Sequence, residues 1–98
     1  MEETSEQTPV EPVVVARRLK ALRDALGIGK GEFADMIGID RSSYTKIEKG
    51  MKPLLPVYAF RIYQLYGVDM NYIYLGQVGG LPNRLSSMVT THLQGAQA

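Results

Sequence analysis

Five cations stand between positions 30 and 52 (Lys30, Arg41, Lys46, Lys49 and Lys52), with the hydroxyl side chains Ser42, Ser43 and Thr45 among them. Ammonium and guanidinium groups attract anions, and hydroxyls donate or accept beside them. The chemistry on offer is therefore recognition of an anion rather than bond making. Residues 16–52 hold nine Lys or Arg against five Asp or Glu, whereas residues 1–15 hold four acids (Glu2, Glu3, Glu6 and Glu11) and no base. The formal net charge of +1 conceals an acidic arm joined to a basic segment. That asymmetry is characteristic of a nucleic-acid surface next to a tail. The plainer reading of any such run is a solvated helix face, so the position of each cation on its element decides between them.

Other chemistries find little support. The chain has no Cys and a single His, His92, which excludes disulfides and thiolate sites and leaves no metal set. No catalytic constellation surrounds His92, and no cofactor and no enzymatic activity are expected. The run Gly27-Ile28-Gly29-Lys30-Gly31 superficially resembles a nucleotide-binding loop. It follows a helical pattern rather than a strand, however, and its Lys is followed by Gly instead of Ser or Thr. No stretch approaches the roughly 18 apolar residues of a membrane span. The acidic opening is the opposite of a signal peptide, so a cytoplasmic, membrane-free protein is expected.

The elements that must position the cations follow from periodicity and punctuation. The 98 residues suit one domain with one modest core. Residues 1–11 lack apolar periodicity and are expected as a disordered acidic arm. Thr8 to Glu11 has the form of a capping box, but Pro12 bars helical angles at Glu11, so the first helix should start near 12. Val15, Leu19, Leu22 and Leu26 form its stripe, with Arg17, Arg18, Lys20 and Asp24 off it and Gly27 as its stop. Phe33, Ala34, Met36 and Ile37 suit a short second helix ended by Gly38. Asp40 caps a third over 41–49, closed by Gly50. After a loop with Pro53, Pro56 opens a fourth helix with Ala59, Phe60, Ile62, Tyr63 and Tyr66 as its apolar side and Gly67 as its stop. Asp69 caps a fifth through Leu75. No strand pattern of period 2 appears.

Beyond residue 76 the chain breaks at Gly76–Pro82 and then repeats Leu81, Leu85, Met88, Val89 and His92 at helical spacing. Such a segment is too short to be stable alone and must dock on the domain or on a partner. The expected organisation is all-α: an arm (1–11), a domain (12–76) and a tail with a short helix (77–98).

Residues 30–49 carry the sharpest pattern. Two short helices crossing steeply need a small residue where their backbones approach, and Ala34 is there. They need a residue that tolerates a left-handed turn, and Gly38 is there. Phe33, Ile37, Ile39, Tyr44 and Ile47 supply apolar ties to the first helix. Together these features make a helix-turn-helix, whose second helix enters a DNA major groove.

From Leu19 to Gly76 the chain resembles the five-helix, lambda-repressor-like DNA-binding domain of the xenobiotic-response-element family, which includes lambdoid repressors and Cro proteins. The resemblance is carried by LKALRDALGI, FADMIGIDRSSYTKIEKG and LYGVDMNYIYLG. It implies that Lys30, at the start of the second helix, touches a phosphate. It further implies that Arg41, Ser42, Thr45 and Lys46 reach base edges, with Arg41 the best reader because its planar fork matches O6 and N7 of guanine. Arg18, Ser43, Lys49 and Lys52 are then assigned to phosphates, which fix register without encoding sequence. The same register sets Arg23 and Glu48 face to face as a structural ion pair joining the first and third helices. Two departures stand out. Gly29-Lys30-Gly31 is a flexible approach to the second helix, and the loop after the third helix reads MKPLLP, with Lys52 its only charge.

Met51, Leu54 and Leu55 of that loop suit a subunit contact better than phosphate, as does the 81–93 segment, so a homodimer is expected. Tyr58, Tyr63, Tyr66, Tyr72 and Tyr74 cluster in the last two helices of the domain, where packing is favoured over a base-stacking platform. The expected protein is a sequence-specific transcriptional regulator of phage or bacterial type, acting as a repressor on double-stranded DNA. Its control would come through concentration, the tail or a regulatory protein partner. The alternative is a helix-turn-helix protein-interaction module, such as part of an antitoxin or an adaptor to another regulator.

Overall fold

Proline or aspartate opens most of the helices, and left-handed glycines end most of them. The computed structural model describes residues 8–97, with side chains described as far as Leu93. Glu2, Glu3 and Glu6 of the expected arm lie outside the described residues. Six helices and no strand occur among the described residues: α1 (Pro12–Leu26), α2 (Lys30–Ile37), α3 (Arg41–Glu48), α4 (Pro56–Tyr66), α5 (Met70–Leu75) and α6 (Asn83–Gln97).

The local chemistry of each boundary is visible. Glu11 is extended ahead of Pro12, and its carboxylate turns back to accept from Thr8 N at 3.1 Å, so the capping-box residues close a turn outside α1 rather than start it. Asp40 caps α3 by accepting from Ser43 N at 3.0 Å, and Asp69 caps α5 by accepting from Tyr72 N at 3.1 Å. Between α2 and α3, Gly38 takes φ 82° and its N–H returns to Ala34 O, while Ile39 N also donates to Ala34 O. A side chain at 38 would strain that left-handed turn, which aims α3. Gly50, at φ 78°, has a second reason. A Cβ there would stand 3.0 Å from Val13 Cα, so the end of α3 and the start of α1 meet backbone to backbone.

The core runs through all six helices. Val15, Leu19 and Leu22 of α1 meet Phe33 and Ile37 of α2, Tyr44 and Ile47 of α3, Ala59 and Ile62 of α4, and Tyr72 and Ile73 of α5. Ala34 is fully buried in α2, which packs on α3. Phe33 sits at the centre, edge-on to Tyr44 (centroids 5.4 Å apart) and stacked on Tyr66 (5.8 Å). In α4 the buried stripe is Ala59 and Ile62, with Tyr58 and Tyr66 packed against it. Phe60 and Tyr63, expected on the apolar side, are instead half exposed and stacked on each other. They fall on the flank of a stripe whose steps are 3 and 4.

The helix after residue 80 is longer than the short one expected, and of the two docking places expected for it, the domain or a partner, it takes the domain. α6 makes the most extensive helix-to-helix contact of the fold, along α1, and buries Leu81, Leu85 and Val89. Its apolar stripe is therefore covered by this chain's own α1 and is not free for a second subunit, a correction to the expected role of residues 81–93. Met88 and His92 stay exposed, and His92 faces Arg17, Lys20, Ala21 and Asp24 across a small cleft. No helix among the described residues is long and apolar enough to cross a membrane.

Candidate nucleic-acid interface

The two sides of α3 differ sharply. Its inner side is Tyr44 and Ile47, both buried, with Glu48 half-buried at the end. Its outer side is Arg41, Ser42, Thr45 and Lys46, and Lys49 and Lys52 follow beyond its last turn. This is the division a short amphipathic helix needs if one face is to be held and the other offered.

The inner side is held by more than apolar contact. Glu48 accepts from Arg23 Nε at 2.8 Å and Arg23 Nη2 at 3.0 Å, and Tyr44 Oη donates to it at 2.6 Å. The Arg23 side chain is 12% exposed and that of Glu48 7%. Arg23 Nη1 also donates to Ile28 O at 3.0 Å, so one guanidinium ties α3 to α1 and to the turn before α2. The hydrogen bond to Glu48 raises the Arg23 pKa, and burial foremost, followed by its own hydrogen bond to Glu48, pushes the Tyr44 hydroxyl far up. The third partner, Tyr44, is signalled in the sequence only by its spacing of four from Glu48.

On the outer side, Lys30, Lys46, Lys49 and Lys52 are exposed, and none forms an ion pair among the described residues. Ser42 Oγ donates to Asp40 Oδ2 at 2.8 Å, and Thr45 Oγ1 donates to Arg41 O at 3.0 Å, which leaves each hydroxyl oxygen as an outward acceptor. Hydrogen bonds from the Ser43 hydroxyl foremost, then from the Ser43 N–H and the Ser42 hydroxyl, hold the Asp40 carboxyl down at about 2. Arg41 is not free: its Nε and Nη2 donate to Asp35 Oδ1 and Oδ2 at 3.1 and 2.6 Å. The pair raises the Arg41 pKa and lowers that of Asp35. Nothing in the periodicity of either helix announced this partner.

Two expected site residues are placed elsewhere. Arg18, assigned to a phosphate, is half-buried and turns inward: its Nη1 donates to Pro9 O at 2.7 Å and to Ile73 O at 3.0 Å. Burial lowers its pKa, and a Cβ at Gly76 would stand 3.0 Å from its guanidinium. It clasps α1 to α5, because two carbonyls within reach satisfy it better than an exposed pose would. Leu54, assigned to a subunit contact, is 3% exposed and joins the core, and its carbonyl accepts from Tyr74 Oη at 2.6 Å. Its neighbours Met51 and Leu55 are 67% and 52% exposed. Ser43 is half-buried beside Ile39, Pro53 and Tyr58, in a shallow groove that Lys52 borders. Of the tyrosines, Tyr72 is buried with its hydroxyl on Arg18 O at 2.7 Å, and Tyr63 is the one left exposed.

Among the described residues no group of three or more His, Asp or Glu could hold a metal ion. Comparison with curated proteins and with solved structures gives no match. A family model, the helix-turn-helix domain, matches residues 16–77, from the first turns of α1 to just past α5. That span contains the buried frame, the α2–α3 turn and the outward cations of α3, and by it the chain belongs to the helix-turn-helix domain family, a DNA-binding unit.

Proposed function

We propose that this protein is a sequence-specific DNA-binding regulator that inserts α3 into the major groove. The observation that carries the reading is the two-sidedness of α3. Tyr44, Ile47 and the Arg23–Glu48 pair fix its inner face, while Arg41, Ser42, Thr45 and Lys46 stand outward with unpaired lysines on either side. In this reading Arg41 contacts guanine, Ser42, Thr45 and Lys46 adjust the fit, and Lys30, Ser43, Lys49 and Lys52 meet phosphates. Arg18 has no part in it. The first five helices are read as a lambda-repressor-like domain of the xenobiotic-response-element type, working in a bacterial or phage-infected cytoplasm. Regulation would be by occupancy, most simply as a repressor. Met51 and Leu55 are the apolar residues a second copy would cover, placing two α3 helices about 34 Å apart on successive major grooves.

Selection of bound sequences from random duplexes tests the reading. A palindromic consensus containing a guanine that Arg41→Ala ceases to prefer, by about ten- to a hundredfold, supports it. Lys30→Ala and Lys49→Ala should each lower the salt dependence of binding by about one counterion without changing the preferred sequence. Failure to bind every duplex tested at low salt would refute it and leave a protein partner as the occupant of this face.

A further inference from the structure

The ion pair on the outer surface of α2 and α3 has more geometry than an exposed pair requires. A guanidinium offers two edges for paired hydrogen bonds, Nε with one terminal nitrogen, and the two terminal nitrogens together. Asp35 occupies the first edge, accepting from Nε at 3.1 Å and Nη2 at 2.6 Å. The flat face of the same group lies over Gly31. A Cβ built there would stand 2.7 Å from Nη1, 2.8 Å from Cζ and 3.1 Å from Nε, three atoms that span the plane. Gly31 and Asp35 are four residues apart on α2 and so share one face, one turn apart. The Arg41 side chain is nonetheless 67% exposed, and its Nη1 makes no hydrogen bond among the described residues.

The geometry points to a seat for the reading arginine. Gly31 supplies a floor that any side chain would fill, and Asp35 grips one edge, so that the second edge of Arg41 is presented outward in one pose. This rests on the reading of Arg41 as a base contact and gives it a mechanism. An unrestrained arginine samples many rotamers and must be ordered on binding, whereas a seated one meets paired acceptors such as O6 and N7 of guanine already aligned. Asp35 is thus a positioning residue with two opposed effects. It sharpens discrimination through Arg41, and its own charge repels phosphate and weakens binding to unrelated DNA. Gly31 contributes only the first effect.

The opposition makes the proposal testable. The probes are a duplex carrying the selected site, the same duplex with the contacted guanine pair changed to an adenine pair, and an unrelated duplex, all at one low salt concentration. For Asp35→Ala, discrimination between the first two should fall about three- to tenfold. Affinity for the unrelated duplex should rise about twofold. Asp35→Asn should behave alike, since its amide offers one acceptor in place of two. Gly31→Ala should lose the same discrimination without the rise. A DNA-free measurement stands beside these: the Arg41 Nε–H resonance should show slowed solvent exchange in the parent protein and lose it in Asp35→Ala. Retained discrimination in both Asp35→Ala and Gly31→Ala while Arg41→Ala abolishes it would overturn the seat alone, as would fast Nε–H exchange in the parent. Arg41→Ala with unchanged base preference would instead overturn the base reading and the seat's role with it.

Discussion

Removing the Glu48 carboxylate should unseat α3 more than any single change on its outer face. In Glu48→Ala the Arg23 guanidinium, 12% exposed, loses both bonds to Glu48 at 2.8 and 3.0 Å. It keeps Ile28 O at 3.0 Å and a distant Asp24 at 3.8 Å, while the Tyr44 hydroxyl loses its acceptor. Breaking a buried pair from one side costs about 3–5 kcal/mol, and the remaining partners place Arg23 near the lower end. An unsatisfied buried hydroxyl adds about 1 kcal/mol, for a total of roughly 4 kcal/mol. That is a large part of the about 5–15 kcal/mol that holds a domain folded. The melting temperature should fall by about 20 °C. Urea unfolding followed by far-ultraviolet circular dichroism gives the loss as a lower midpoint at constant slope. Tyr44→Phe keeps the ring on Phe33 and should cost only about 1.5 kcal/mol. The double change Arg23→Met with Glu48→Leu, which leaves no orphaned charge, should recover to within about 1 kcal/mol of the parent. A loss under 1 kcal/mol in Glu48→Ala, or a double variant no better than the single one, would refute the claim that this pair is what fastens α3.

Two further outcomes follow from the helix ends and from the tail. The Asp40 carboxyl titrates at about 2 in the folded protein against its ordinary 3.8, so its contribution to stability is full above the ordinary value and disappears as pH falls through about 2. Asp40→Asn, which keeps an acceptor for Ser43 N–H, should flatten that part of the acid limb in urea unfolding run from pH 5 to 2. Leu85 is 3% exposed where α6 meets α1, and Leu85→Ala should cost about 2–4 kcal/mol, with hydrogen exchange in α6 accelerating before that in α3.

Helix boundaries were legible because their causes are local. Pro12, Gly27, Gly38, Asp40, Pro56, Gly67 and Asp69 each act on the few residues beside them, and each stands at the boundary its chemistry predicted. The core positions of α1 to α3 were legible through periodicity, since Leu19, Phe33, Ile37, Tyr44 and Ile47 repeat at the spacing that buries one face. What stayed hidden depends on partners that are remote in the chain or on a choice between two satisfactory poses. Arg18 finds a carbonyl 55 residues away, and no spacing announces that. Leu54 lies in a loop, where periodicity says nothing about which of two adjacent leucines turns inward. Arg41 could extend to solvent or fold back on Asp35, and the second pose needs both the Asp35 carboxylate and the space above Gly31. The reach of α6 to residue 97 was underestimated because an isolated helix of weak propensity is stabilised by the surface it lies on, here α1.

The two attachments of α1 have a mechanical consequence. α3 is fastened to it through Arg23 and Glu48, and α6 lies along it. Fifteen residues make a rod about 22 Å long, stiff against bending on this scale. The tail helix and α3 are thus two fittings on one beam, with no hinge between them. A load applied to α6 is transmitted to α3 chiefly as tilt or shift of the whole beam, and so alters the angle at which α3 is presented while leaving its shape intact.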